Sequence, residues 1–211
     1  CLQKPPRERA IARVLVAIRP NWRDLSIHES SPGGGAFSQK LRRLCRGYVP
    51  TQFDPSLPFG VLDPTGRWRN ENLEAQTFPD ASFDIVIAQD VFEHLFHPGR
   101  AAKEIARTLK PDGVALLTVP VVRHFGRTQR RARLTPCGIQ HILPEQYHGN
   151  PVGDGRSLVT IDWSYDIGAY LTAHSGIPWV VMVIDDMSMG IRDPYNTILI
   201  GWKAQIPDLE E

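Results

Sequence analysis

Long apolar runs, an imbalance of charge and a usable set of cysteines are what this 211-residue chain lacks. No hydrophobic stretch approaches the roughly 20 residues that a membrane-crossing helix needs, and nothing at the start reads as a secretory signal. The 24 Lys and Arg against 23 Asp and Glu leave a formal net charge of +1, far from the strongly basic face of a dedicated nucleic-acid binder. Cys1, Cys45 and Cys137 are odd in number and scattered, so they form neither a disulfide framework nor a metal set. A reducing cytoplasm is the expected location. The first residue is Cys1 and not methionine, which leaves open a processed piece with an upstream cysteine cluster beside a plain chain boundary. No internal repeat or low-complexity tract occurs. What remains, 42% hydrophobic and 22% charged residues, is an ordinary globular composition, long enough for one domain with a real core.

The chain is organised around Ile27-His28-Glu29-Ser30-Ser31-Pro32-Gly33-Gly34-Gly35, followed by Ala36-Phe37-Ser38-Gln39-Lys40-Leu41. A short apolar run ends in a carboxylate, a glycine cluster follows, and then comes helical spacing. In α/β folds this order builds a nucleotide pocket, because glycines let backbone approach a ligand and the next helix points free N–H groups at it.

On either side the pattern alternates. Residues 7–19 put Ile11, Val14, Leu15 and Ile18 on one helical face, so residues 1–24 form an N-terminal helical segment ended by Pro20. Leu25–His28 is expected as a first strand, 36–45 as a helix, 47–53 as a strand and 54–69 as a Pro- and Gly-rich loop. Phe83-Asp84-Ile85-Val86-Ile87-Ala88 reads as a strand buried on both faces. A helix from Pro98, with Ala101, Ala102, Ile105, Ala106 and Leu109 inward, stops at Lys110-Pro111-Asp112-Gly113 before a strand over 114–119. This rhythm implies right-handed crossovers and a doubly wound sheet. Residues 121–162, rich in Arg, His, Pro and Gly, exceed a usual connection and read as an insertion over a substrate site. A helix over 166–174 follows. Strands over 179–184 and 197–202 come last, too closely joined for a helical crossover and therefore antiparallel.

Phe78-Pro79-Asp80-Ala81-Ser82-Phe83-Asp84-Ile85-Val86, Asp90-Val91-Phe92-Glu93-His94, residues 104–113 and Thr118-Val119-Pro120 together resemble the class I methyltransferases that use S-adenosylmethionine. The resemblance runs from about Leu25 to Pro120. It implies one Rossmann-like α/β domain over 1–211, with seven strands, mostly parallel with one antiparallel, and helices on both faces. S-Adenosyl-L-methionine is the implied cofactor and S-adenosyl-L-homocysteine the product. Carried over by position, Glu29 faces the ammonium group of the methionine part, directly or through water. Ser31, Gly33 and Gly35 form the turn beneath it, with Ser31 where the family has glycine. Gln52, in place of the usual acid, accepts from the ribose, with Asp54 as the alternative. Asn72 accepts from the adenine amino group, Leu73 packs on the ring, and Gln89 and Asp90 line the methionine portion.

Methyl transfer from a sulfonium needs alignment first and a base only where the nucleophile holds its proton. His94, His124, His141 and His148 are base candidates, His148 and His94 first. Arg123, Arg127, Arg130, Arg131 and Arg133 form a basic run. It reads either as a solvated face or as a site for an anionic acceptor, for which Arg123, Arg127 and Arg131 are the candidates. Trp163 and Tyr165 are the aromatics considered for substrate contact; Trp68, Trp179 and Trp202 read as packing. Asp185-Asp186 reads as a solvated turn, and no metal site is expected. The expected reaction is methyl transfer to an oxygen or nitrogen of a small molecule or sugar unit, with RNA or protein as the alternative acceptor. Two rivals differ in kind. One is a nicotinamide-dependent oxidoreductase, whose third glycine position falls on Ser38; the other is a non-catalytic scaffold, which the departures at Ser31, Gln52 and Asn72 would favour.

Overall fold

The computed structural model describes residues 5–150 and 155–205; Cys1 lies outside them. Helix α1 (Pro6–Ile18) starts at a proline, whose missing N–H is no loss in a first turn, and buries Ala10, Ile11, Val14 and Leu15 on one stripe. The alternating core follows: β1 (Ser26–Ser30), α2 (Ala36–Leu44), β2 (Gly47–Gln52), β3 (Arg69–Asn70), β4 (Phe83–Gln89), α3 (Pro98–Thr108) and β5 (Leu109–Thr118). After the insertion come α4 (Ile167–Ser175), β13 (Trp179–Val183) and β14 (Thr197–Trp202). These strands form one seven-stranded sheet in the order β13-β14-β5-β4-β1-β2-β3. Pairings from β3 to β5 are parallel, and β14 lies antiparallel between β5 and β13. The Rossmann-like sheet is therefore as expected, with its one reversed strand.

Successive side chains of a strand point to opposite faces, and β4 shows what that does here. Ile85 and Ile87 enter a core layer with Ile11, Leu15, Phe37 and Leu41, beneath α1 and α2. Val86 and Ala88 enter the opposite layer with Ile105, Leu117, Leu171 and Trp163, beneath α3 and α4. Two strand boundaries differ most from expectation. β1 runs on to Ser30 because Glu29 and Ser30 still pair with β2 and β4. β5 starts at Leu109, which pairs with Phe83 across a bulge that absorbs residues 110–113. Lys110 holds that bulge on Asp84 at 2.8 Å.

The insertion is built of short strands: β6 (Val121–Arg123), β7 (Gln129–Arg130), β8 (Ala132–Thr135), β9 (Gly138–His141), β10 (Tyr147–Gly149), β11 (Arg156–Leu158) and β12 (Ile161–Ser164). β12 joins β6 and β7, while β8-β9 and β10-β11 are two-stranded units. Thr160 ties the unit to the end of β4, its N–H donating to the Glu93 carbonyl at 2.7 Å and its hydroxyl to the Leu95 carbonyl at 2.6 Å. No helix among the described residues is long and apolar enough to cross a membrane.

Candidate active site

A cavity of about 920 Å³ opens at the carboxyl ends of β1, β2 and β4, the place where parallel sheets of this kind bind ligands. Its floor is the turn after β1. Ser31 there has φ 53°, the left-handed region that glycine adopts without cost and a serine only with strain. A Cβ built on Gly34 meets no atom within 4 Å, and one on Gly33 only the edge of Gly35. Both glycines line the cavity, where their backbone is left uncovered by side chains. On Gly35 a Cβ would strike the Glu8 carboxylate, which reaches over from α1 and accepts from the Phe37 N–H at 3.3 Å.

Glu29 stands lower than expected. It is fully buried, its oxygens accepting from Ser38 Oγ at 2.7 Å, Tyr48 Oη at 2.6 Å and Gln89 Nε2 at 3.0 Å. Burial raises its pKa against those three donors, and burial raises Tyr48 also. Ser38 and Gln89 line the cavity and Glu29 does not. The carboxylate therefore meets the cavity through those two side chains. Gln52 lines the wall at the end of β2, its amide nitrogen donating to the Pro32 carbonyl at 3.0 Å, which leaves its oxygen as the acceptor. Asp54 lines the same wall but already accepts from the Ser56 N–H and hydroxyl. Asn72 and Leu73 form the next part, with Asn72 Oδ1 accepting from the Glu74 N–H at 2.9 Å.

Asp90 ends β4 with φ 53°. Its carboxylate pairs with Arg7 of α1 at 2.9 Å and accepts from Thr118 at 3.1 Å. Burial, with the Glu93 charge beside it, pushes Asp90 up to about 6. Arg7, Asp90 and Gly149 also border a second pocket of about 410 Å³, closed by Glu93, His148, Val159 and Tyr195. His94 borders the first cavity, and His148 the second. The two rings meet edge to face at 5.0 Å between centroids. His148 is raised by the Glu93 carboxylate against it.

Other expectations are corrected. Arg123, Arg127 and Arg131 line neither cavity. Arg123 binds the Arg127 carbonyl and Gln129, and Arg131 binds Asp162 and the Pro144 carbonyl. Short irregular strands leave carbonyls unpaired, and these guanidinium groups satisfy them. Trp163 is 1% exposed and belongs to the core, and Tyr165 stacks on His124 away from both cavities. His141 sits beside Glu145 on the insertion. Asp186 caps a single turn at Met187–Met189, as a solvated turn would. Arg7, Glu8, Glu93 and Arg156 were not anticipated. The first two belong to a helix read as mere packing, and a glutamate in Phe92-Glu93-His94 gives no sign of burial.

Against known proteins, residues 28–117 match the family model described as a methyltransferase domain. The ubiquinone biosynthesis O-methyltransferase of Caulobacter vibrioides is 26% identical over 149 residues, 65% of this chain and 56% of that protein. A probable S-adenosylmethionine-dependent methyltransferase of Mycolicibacterium smegmatis is 40% identical over 96 residues, 44% of this chain and 37% of that protein. The chain thus spans about half the length, or less, of these relatives. Among solved structures, S-adenosylmethionine-bound CalS10, an amino pentose methyltransferase from Micromonospora echinaspora, superposes with a TM-score of 0.60 at 14% identity, covering 96% of this chain and 93% of that one. Residues 28–117 thus match a methyltransferase domain in sequence, and the sheet order, with the cavity at the turn after β1, is that of the class I methyltransferase fold.

Proposed function

We propose that the chain transfers a methyl group from S-adenosylmethionine to an oxygen or nitrogen of a small molecule or sugar unit. The observation that carries this reading is the pair of cavities. One, about 920 Å³, has the side-chain-free turn of Gly33 and Gly34 for its floor, and the other, about 410 Å³, adjoins it across Arg7 and Asp90. The volumes suit a cofactor and a small acceptor. The similarity to the Caulobacter ubiquinone biosynthesis O-methyltransferase and to the amino pentose methyltransferase is in keeping with such acceptors. The basic run gives little support to a polyanion, since the Arg123 and Arg131 guanidinium groups are engaged within the insertion.

When bound, S-adenosylmethionine supplies the methyl group already attached to its leaving group. The residues position and sort. Backbone from Ser31 to Gly35 receives the cofactor, Gln52 offers its amide oxygen to the ribose, and Asn72 and Leu73 flank the adenine. Glu29 acts as a positioning residue, fixing Ser38 and Gln89 toward the methionine part. His148 borders the acceptor pocket and His94 the neighbouring wall of the cofactor cavity, near where a hydroxyl nucleophile must lose its proton. Incubation with methyl-labelled cofactor and a panel of amino sugars, sugars and phenols tests the reading. Label is expected in a small acceptor, and label found only in added RNA or protein would contradict it.

A further inference from the structure

Glu93 is the least explained group in the molecule. Its side chain is 2% exposed, and among the described residues neither carboxylate oxygen accepts a hydrogen bond. Oε1 instead faces His94 Nε2 at 3.7 Å and His148 Nδ1 at 3.6 Å. Both distances exceed the 2.7–3.2 Å range typical of an N–H···O bond, roughly stated. They fit another geometry. Ligands held about 2.1 Å from one tetrahedral metal ion stand about 3.4 Å apart. One oxygen or nitrogen from each of the three residues lies within 4.8 Å of the others.

The His94 tautomer supports the same reading. Nδ1 lies 2.8 Å from the Leu158 carbonyl oxygen, which can only accept, so Nδ1 carries the proton. In the neutral form of the ring the lone pair of Nε2 then faces Glu93. An imidazole oriented by a backbone carbonyl through its other nitrogen is the usual outer support of a metal ligand. Two imidazoles and one carboxylate suit a first-row divalent ion and leave positions open. The three ligands come from two separate elements, Glu93 and His94 from the turn after β4 and His148 from β10. A cation would thus fasten the insertion onto the sheet.

The geometry points to a divalent cation site at Glu93, His94 and His148, at the junction of the two cavities, that takes the acceptor's hydroxyl. Its role in catalysis rests on the methyltransferase reading above; its existence does not. The cation lowers the hydroxyl's pKa, and the proton leaves to solvent. The acceptor oxygen then forms the new C–O bond as the C–S bond breaks, its electron pair going to sulfur. An amine nucleophile needs its lone pair free of metal, so the site favours oxygen over nitrogen acceptors.

The test begins with chelator-treated full chain titrated with Co²⁺, followed by visible absorption and calorimetry, with Zn²⁺ as competitor. One equivalent is expected to bind, with a ligand-field band that Zn²⁺ abolishes. Glu93→Gln and His148→Ala are each expected to weaken binding at least about tenfold, and His141→Ala to leave it unchanged. S-Adenosylhomocysteine titrated into the same samples reports the larger cavity separately and checks that each variant is folded. No uptake of Co²⁺, or uptake indifferent to both substitutions, would overturn the cation site whatever the S-adenosylhomocysteine titration gives. Cobalt binding without S-adenosylhomocysteine binding would leave the site standing and remove the methyltransferase reading.

Discussion

His28 illustrates how one buried residue sets a pH limit. It sits fully buried between Phe78 and Phe83, with Nε2 2.9 Å from the Thr51 hydroxyl. Burial, then the Arg69 charge, lowers its pKa to about 3. The native ring stays neutral down to that pH, whereas the unfolded ring takes up a proton near its ordinary 6.5. Between about pH 6 and 3 the unfolded chain binds the extra proton. Stability is therefore complete above this window and declines through it by about 1.4 kcal/mol per unit for this group. Denaturant titrations across that window should show a slope one proton shallower in His28→Leu. Ser31 carries a second residue-scale expectation. At φ 53° a β-branched side chain is worse than serine, so Ser31→Val should cost about 1–3 kcal/mol. Ser31→Gly should leave Tm unchanged or higher and keep the cofactor affinity. Thermal melts of the pair decide it. Glu93, by contrast, could not be read from the chain: nothing in Phe92-Glu93-His94 says that a carboxylate there will be 2% exposed.

Among the elements, legibility followed burial and regularity. β4 announced itself because a strand buried on both faces is apolar throughout, and β14 because its short link to β13 forbids a crossover. The strands of the insertion gave no such sign. Most have two to four residues, and β9 is exposed along its length, so no alternation can build up. The Arg run is a related case: charge in sequence read as a surface, but Arg131 is largely buried on Asp162. The cofactor turn was legible as glycines, while the wall that α1 adds through Arg7 and Glu8 was not, since it depends on how the helix docks. Two predictions belong here. Asn70 is fully buried and grips the loop after β2, accepting from the Asp54 N–H and donating to the Asp54 and Leu57 carbonyls. Asn70→Ala should cost about 2–4 kcal/mol by orphaning those groups, and should weaken cofactor binding, because Phe53, Asp54 and Pro55 line the cavity. Arg7→Ala breaks a half-exposed pair and should cost less than about 1 kcal/mol of stability. It should nonetheless weaken S-adenosylhomocysteine binding in calorimetry, because that pair holds α1 against Asp90.

At the scale of the whole molecule, the sheet, the glycine turn and the two adjoining cavities form one arrangement. The sheet carries β1, β2 and β4 to one edge of the cavity, α1 closes one side, and the insertion closes the other with Gly149, Arg156 and Leu158. A ligand that binds only this native arrangement must stabilise all of it. At about 100 times its Kd it adds about 2.7 kcal/mol, or about 5–10 °C in Tm for a domain of this size. The most direct measurement is a calorimetric titration of the chain with S-adenosylmethionine, S-adenosylhomocysteine and NAD in parallel. One-to-one micromolar binding of the two sulfur compounds, with NAD silent, is the predicted result. Binding of NAD alone, or of none of the three, would contradict the account.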